Sequence, residues 1–347
     1  MRILICTQIV SRKDSSLGFF TRWIEELAAH AQRIEVVCLQ EGEYSLPSHV
    51  RVQSLGKEHG APPMRKLVYA LRFYAALWRA RTAYDVVLVH MNQEYVLLAG
   101  FFWRLTGRRV FMWRNHYAGS FITDIAALFC HRVFYTSKMS YTAKYKKAVQ
   151  MPVGVDLESV RMDVPVERMP HSVLFLARLE ESKRPDLLLE ALGILHARGV
   201  DFRATIVGGP TDPASAYPER LQALAKELGI GELVSFTGAV QNTETFRQYR
   251  SHEIFVNCSL SGMLDKTMFK AVASGCLVLT ASSDFGELAG EEYLYRYGDA
   301  EDLSKKLERF LSFGPDMRQG NLKRLEQVIQ ANTLPALAER LITEMSS

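Results

Sequence analysis

The sequence predicts an α/β protein built as two doubly wound parallel-sheet domains in tandem. Three observations carry this. Short continuous apolar runs alternate with amphipathic stretches almost from end to end, the pattern of strands buried on both faces beneath covering helices. The alternation lapses after residue 151 and restarts at residue 172. At 347 residues the chain is also too long for one ordinary domain and comfortable for two.

In the first half, strands are expected at Arg2–Cys6, Ile34–Leu39, Val50–Ser54, Val86–His90, Val110–Trp113, Val133–Thr136 and Val149–Met151. Helical periodicity falls between several of them, at Phe19–His30, Met64–Arg81, Tyr95–Thr106 and Ile122–Cys130. "MPVGVD" (151–156) reads as a turn, and the aperiodic stretch after it as a linker. The second half has strands at Ser172–Leu176, Arg203–Val207, Val234–Phe236, Ile254–Asn257 and Leu277–Thr280. Its helices are Arg184–Arg198, Pro218–Leu228, Thr243–Arg250, Lys266–Ser274 and Ala300–Leu311, with a closing pair at Met317–Gln330 and Pro335–Glu344. In doubly wound sheets, binding is expected at the carboxyl ends of the strands.

A hydrophobic content of 48% and a charged content of 23% fit full globular cores. Five cysteines with no C-x-x-C pair read as structural thiols of a reducing cytoplasm. "MRILICTQ" has a strand pattern whose apolar run is too short for a signal peptide. The longest apolar stretch, "YVLLAGFFW", falls short of the ~20 residues of a membrane span. Residues 1–155 carry 21 Lys and Arg against 10 Asp and Glu, and the remainder 21 against 28. Two halves of opposite sign suggest different partners, with the basic half facing an anionic surface.

The loop "CTQIVSRKDSSLGFF" lacks G-x-G-x-x-G, which argues against a dinucleotide site. Gly18, at its helix start, either lets a ligand approach the backbone or is a turn glycine. In "LARLEESKRPDLLLEAL", Arg178 and Lys183 flank a short loop before a helix opened by Pro185. Two cations beside a helix N-terminus suit a pyrophosphate; solvated surface cations are the plain alternative. "TIVGGPTDP" ends a strand in Gly208 and Gly209, and "VSFTGAV" ends another in Gly238. With "SGMLDKTMFKAVASG" these put three loops on one sheet edge.

"LGFF", "PVGVD", "LARLEESKRPDLLLEAL", "VGG", "VSFTGAV" and "KAVASGCLVL" occur in this order. Together they resemble the retaining nucleotide-sugar glycosyltransferases of family 4, the group 1 enzymes. The resemblance implies a GT-B fold: two Rossmann-like domains facing a central cleft, with acceptor binding in 1–155, donor binding in 156–330, and 331–347 crossing back onto the first domain. It implies no metal and no cofactor, the nucleotide sugar, a UDP-sugar, being a substrate. Carried over, Arg178 and Lys183 match the donor-diphosphate pair and act catalytically with His116, the histidine beside the reacting carbon. Gly18, His90, Gly208, Gly238 and Val240 match donor-site or cleft positions. The family has two glutamates eight apart in the opening of "SGMLDKTMFKAVASG"; here they are Gly262 and Lys270. "SGMLDK" resembles a subgroup with an S/T-G-x-x-D-K motif, in which Asp265 and Lys266 take over handling of the donor sugar. Lys270 departs even from that subgroup, and either contacts the nucleotide or turns to solvent.

The implied activity is transfer of a sugar from a UDP-sugar to a glycan or lipid-linked acceptor in envelope or polysaccharide synthesis. A non-catalytic glycan- or nucleotide-binding relative is the alternative, motivated by Gly262 and Lys270; an epimerase needs acid and base residues the sequence does not place. No nucleic-acid-binding motif is present. Residues 64–85, "MRKLVYALRFYAALWRARTAYD", interleave five basic residues with Tyr69, Phe73, Tyr74 and Trp78. As a helix the segment is basic and amphipathic, either a sheet-covering helix with core aromatics or an interfacial one. The expected location is cytoplasmic and peripheral on the inner face of the cell membrane, through anionic lipid.

Overall fold

The computed structural model describes all residues except 15–16, 61, 159–165 and 261–263, with the backbone alone at 242 and 243. The chain divides into two compact units, Met1–Gly154 with Asn332–Ser347, and Val155–Ala331.

The first unit holds a seven-stranded parallel sheet of β1 (Arg2–Val10), β2 (Arg33–Glu41), β3 (Val50–Ser54), β4 (Val86–His90), β5 (Arg109–Trp113), β6 (Arg132–Tyr135) and β7 (Ala148–Gln150). Its order is β3-β2-β1-β4-β5-β6-β7. The winding reverses between β1 and β4, which opens a crevice beyond their carboxyl ends. Helix α1 (Phe19–Ala28) covers one face, and α2 (Arg65–Ala80), α3 (Gln93–Leu105) and α4 (Phe121–Phe129) cover the other. The central strands therefore have apolar residues on both sides, such as Ile3 and Leu4 of β1, both fully buried.

The last helix, α12 (Leu334–Ser346), belongs to this unit and packs on α1. Leu337, Leu341 and Met345 join the core of Ile5, Trp23 and Ile34. The Asn332 side chain accepts a hydrogen bond from the Val153 backbone at 3.0 Å. Gly154 closes the turn at φ +71°, where a Cβ would lie 2.3 Å from Leu337.

The second unit holds five parallel strands, β8 (Ser172–Leu176), β9 (Arg203–Val207), β10 (Val234–Gly238), β11 (Ile254–Asn257) and β12 (Leu277–Thr280), in the order β10-β9-β8-β11-β12. Here the winding reverses between β8 and β11. The helices are α5 (Pro185–Ala197), α6 (Tyr217–Glu227), α7 (Asn242–Ser251), α8 (Lys266–Ala273), α9 (Ser283–Ala289), α10 (Ala300–Leu311) and α11 (Pro315–Gln330).

Helix α2 divides its aromatics. Phe73 is buried in the sheet core, whereas Tyr74 and Trp78 face solvent. The helix is thus sheet-covering, yet its outer side is not polar. Among the described residues no helix is long and apolar enough to cross a membrane.

Candidate functional site

In the second unit, two loops converge at the switch point of the sheet. One follows β8 and ends in Lys183, in a single 3₁₀ turn before α5. Arg184 takes a left-handed φ of 51° and Pro185 opens the helix, where its missing N–H leaves no bond unmade. The other loop follows β11 and ends in Asp265, which caps α8 by accepting from the Thr267 backbone N–H at 3.0 Å. Strands β8 and β11 are neighbours, so the two side chains meet although 82 positions apart. Lys183 Nζ lies 3.4 Å from Asp265 Oδ2 and 3.2 Å from Ser259 Oγ. Asn257 Nδ2 approaches the same carboxylate oxygen at 3.5 Å. Both partners are largely buried, their side chains 19% and 23% exposed. The result is an oriented ammonium at a strand end, able to meet an anion.

Arg178 stands at the same edge but is freer, its side chain 64% exposed. It contacts Glu180 Oε1 and Thr211 Oγ1, each at 3.3 Å. Glu180 and Thr211 also bond to each other. The Thr211 hydroxyl, and after it the Arg178 guanidinium, hold the Glu180 carboxyl below its usual range. Neither Glu180 nor Thr211 was expected from sequence: no motif spans the loops after β8 and β9.

The glycines have different reasons. Gly208 has φ +146°, and a Cβ there would sit 1.8 Å from the Ala177 carbonyl oxygen. Gly238 has φ +72° with open space around it, so backbone conformation alone demands it. Half-buried Val240 follows in the short loop before α7. Gly262 lies outside the described residues.

Lys266 and Lys270 lie one turn apart on α8, both half-buried. Burial, then the neighbouring Lys270 ammonium, push Lys266 from 10.5 down to about 7, with Asp156 opposing. Burial also lowers Lys270, against Asp156 and Asp265. The Lys270 ammonium stands 5.5 Å from the Phe246 ring centroid. Asp156, the last residue of "MPVGVD", is thus a charged neighbour of both lysines.

Lys266 gives a pH prediction. Between about pH 7 and 10.5 the unfolded chain keeps a proton that the folded chain has released, so this residue makes stability rise with pH across that window. Below it, the folded chain carries the charge at full cost. Lys266→Met should therefore gain urea resistance relative to the parent at pH 6, with the gain shrinking toward pH 10. A difference independent of pH would contradict the depressed pKa.

In the first unit, His116 lies in the loop after β5. This loop is tied to the one after β6: Asn115 Oδ1 accepts from the Thr136 and Ser137 backbones, and the Tyr141 backbone donates to the His116 carbonyl. His116 Nδ1 accepts from the Ala118 N–H at 2.9 Å, which places the neutral ring's proton on Nε2. The ring stacks on Tyr117 at 4.5 Å. His90 ends β4 at this sheet's own switch point. It is 2% exposed, lies 3.2 Å from Thr7 Oγ1 of β1, and stacks on Phe20 at 3.7 Å. Gly18 starts α1 in ordinary helical conformation. The space a side chain would need is filled by the chain itself, with the Asp14 carbonyl oxygen 2.5 Å from its Cβ position.

Two Rossmann-like parallel-sheet units make this a GT-B fold. The Anabaena protein Alr3699/HepE, solved in complex with UDP, superposes with a TM-score of 0.78 at 14% identity, covering 100% of both chains. Residues 170–312, within the second unit, match the family model "Glycosyl transferases group 1". The D-inositol 3-phosphate glycosyltransferase of Streptomyces scabiei is 35% identical over 113 residues, 31% of this chain and 25% of that protein. Its namesake from Mycobacterium sp. (strain KMS) is 30% identical over 179 residues, 47% of this chain and 39% of that protein. The matched region thus spans well under half of these curated relatives.

Proposed function

We propose that this protein is a retaining glycosyltransferase that moves a sugar from a UDP-sugar to a glycan or lipid-linked acceptor, in envelope or polysaccharide synthesis. The observation that carries the reading is the Lys183 ammonium, held against Asp265 and Ser259 at the switch point of the second sheet. It lies inside the segment that matches group 1 glycosyltransferases. The UDP held by a protein of the same fold supports the choice of nucleotide.

In this reading the second unit takes the donor and the first the acceptor. Lys183 and Arg178 meet the diphosphate and stabilise the charge that builds on it as the bond from the sugar carbon to the phosphate oxygen breaks. The acceptor hydroxyl forms the new bond to that carbon, and its proton passes to the departing phosphate oxygen. No strong protein base, metal or cofactor enters the scheme. Gly208, Gly238 and Val240 line the nucleotide side, and Asp265 and Lys266 serve the sugar, with Gly262 beside them in sequence. His116 offers its Nε2–H to a sugar hydroxyl, with Gly18 and His90 on the same sheet edge.

Lys270 is assigned to the nucleotide. An ammonium has donors and no acceptor, so it serves a hydroxyl or phosphate oxygen and cannot accept as a glutamate does. The test measures UDP-, GDP- and ADP-sugar binding, and transfer or hydrolysis of labelled donor, in the parent, Lys270→Ala and Lys270→Glu. UDP-sugar binding with turnover is expected, together with weaker UDP binding in Lys270→Ala that recovers toward the parent at high salt as charges are screened. Tighter donor binding in Lys270→Glu, with no turnover in the parent, would instead favour a non-catalytic relative that has lost its site. Unchanged affinity in both variants would remove Lys270 from the site.

A further inference from the structure

The three helices α2, α3 and α4 form one layer over the first sheet, and the side of that layer facing solvent is apolar. We infer that this face docks flat on an anionic lipid bilayer. A surface helix ordinarily has one apolar stripe, turned to the core. These helices have two. Phe73, Trp103 and Ala126 fill the core beneath. On the outside, Leu71 and Trp78 of α2, Phe101 and Leu105 of α3, and Phe121 and Leu128 of α4 are between 61% and 74% exposed.

The face is continuous. Helices α3 and α4 pack side by side, and the Tyr74 hydroxyl of α2 donates to the Leu98 carbonyl of α3 at 2.7 Å. A 13-residue helix is about 20 Å long and neighbouring helices lie about 8–10 Å apart, so the patch covers on the order of 400 Å². That is the scale at which an exposed apolar patch marks an interaction site.

Charge identifies the occupant. Residues 64–130 contain nine Lys and Arg against three Asp and Glu. Two of those acids are engaged elsewhere, Asp85 with Arg2 and Asp124 with Tyr141, Tyr145 and Lys144. Of the bases, Arg72, Arg104, Arg108 and Arg114 bond to Leu55, His131, Arg81 and Met91, so the rim rests on the two ends of α2. Arg65 and Lys66 stand at one end of α2 and Arg79 and Arg81 at the other, all exposed. Arg81 also lies over the Trp78 ring at 4.5 Å. Basic side chains around an apolar face lay their stems along it and lift their heads into a phosphate layer, and Trp and Arg suit the headgroup boundary. A second copy docked face to face would set basic rim against basic rim, whereas acidic headgroups neutralise it. This docking needs nothing from the donor site and stands apart from the glycosyltransferase reading.

The experiment uses the whole protein with vesicles of phosphatidylcholine alone or mixed equally with phosphatidylglycerol. Trp78 is the probe, since Trp23, Trp103 and Trp113 are at most 5% exposed. Anionic vesicles should shift its emission to the blue and cosediment the protein at low salt, neutral ones far less. The triple variant Phe101→Glu, Leu105→Glu, Leu128→Glu alters only exposed positions, so its circular dichroism should match the parent while vesicle binding falls at least tenfold. Trp78→Phe should abolish the blue shift and keep cosedimentation. Equal binding to both vesicle types, or undiminished binding by the triple variant, overturns the inference. A parent dimer in solution that the triple variant dissociates, without vesicle binding, assigns the face to self-association and overturns it too.

Discussion

Lys183→Ala should weaken UDP binding by roughly 1.5–3 kcal/mol, about 10- to 150-fold, while leaving the fold intact. The size follows from what surrounds the ammonium. Ser259 and Asp265 hold it in place, so little side-chain entropy remains to be lost when a phosphate arrives. Its removal also leaves the Asp265 carboxylate with only the Thr267 backbone and a long contact to Asn257. That carboxylate would then repel the anion it now helps to receive. Arg178→Ala should cost less, because its guanidinium is more exposed and must first leave Glu180. Lys183→Arg should recover part of the loss, limited by the space between the two loops. Calorimetry with UDP at fixed ionic strength measures all three. Parent-like affinity in Lys183→Ala would remove the diphosphate assignment, since Arg178, the other cation at that edge, is far more exposed.

Much of this architecture is legible in the sequence, for a physical reason. Strands buried on both faces must be continuous in apolar residues, so the central strands leave visible runs, while the described edge strands β3 (VRVQS) and β10 (VSFTG) show only an alternating pattern. What fades is their ends. β1 runs on to Val10 although its apolar run breaks at Thr7, because Thr7 is buried and pairs with His90 across the sheet. Helix α9 (Ser283–Ala289) escapes notice altogether: its seven residues are too few to show a period and include Gly286. Strand order leaves no local trace either. Without it, Lys183 and Asp265 read as two separate candidates, not as the pair that adjacency of β8 and β11 makes them. Asp156, Glu180 and Thr211 lie inside stretches the sequence singles out, but their contacts become visible only with neighbours brought from other segments. Helices α3 and α4 mislead in the opposite direction. "YVLLAGFFW" is apolar throughout, yet Trp103 turns inward while Phe101 and Phe102 face solvent; composition cannot separate a helix buried on all sides from one with a second apolar face.

The second large effect lies in the backbone beneath the loops that follow β8 and β9. Gly208→Ala should destabilise the second unit by about 3 kcal/mol or more, whereas Gly238→Ala should cost only about 1–2 kcal/mol. Both glycines have positive φ, but only Gly208 has a neighbour in the way. An added methyl would sit 1.8 Å from the Ala177 carbonyl oxygen, and that carbonyl has nowhere to retreat. The Ala177 backbone donates to Val207, the Gly208 backbone to Gly238, and the Leu179 backbone to Gly209, at 2.9–3.1 Å. Three strand ends are thus laced together where β8, β9 and β10 release their loops, and relief of the clash must break at least one of these bonds. The same lacing sets where Arg178 and Lys183 emerge, so UDP affinity should fall in Gly208→Ala beyond what lost stability explains. Tryptophan fluorescence is the wrong probe, because all four tryptophans lie between residues 23 and 113, in the first unit. Urea unfolding followed by far-ultraviolet circular dichroism, with amide exchange across residues 172–210, reports on the second. If Gly208→Ala unfolds together with Gly238→Ala and binds UDP like the parent, the Ala177 peptide yields freely, and the loops that follow β8 and β9 are not rigid.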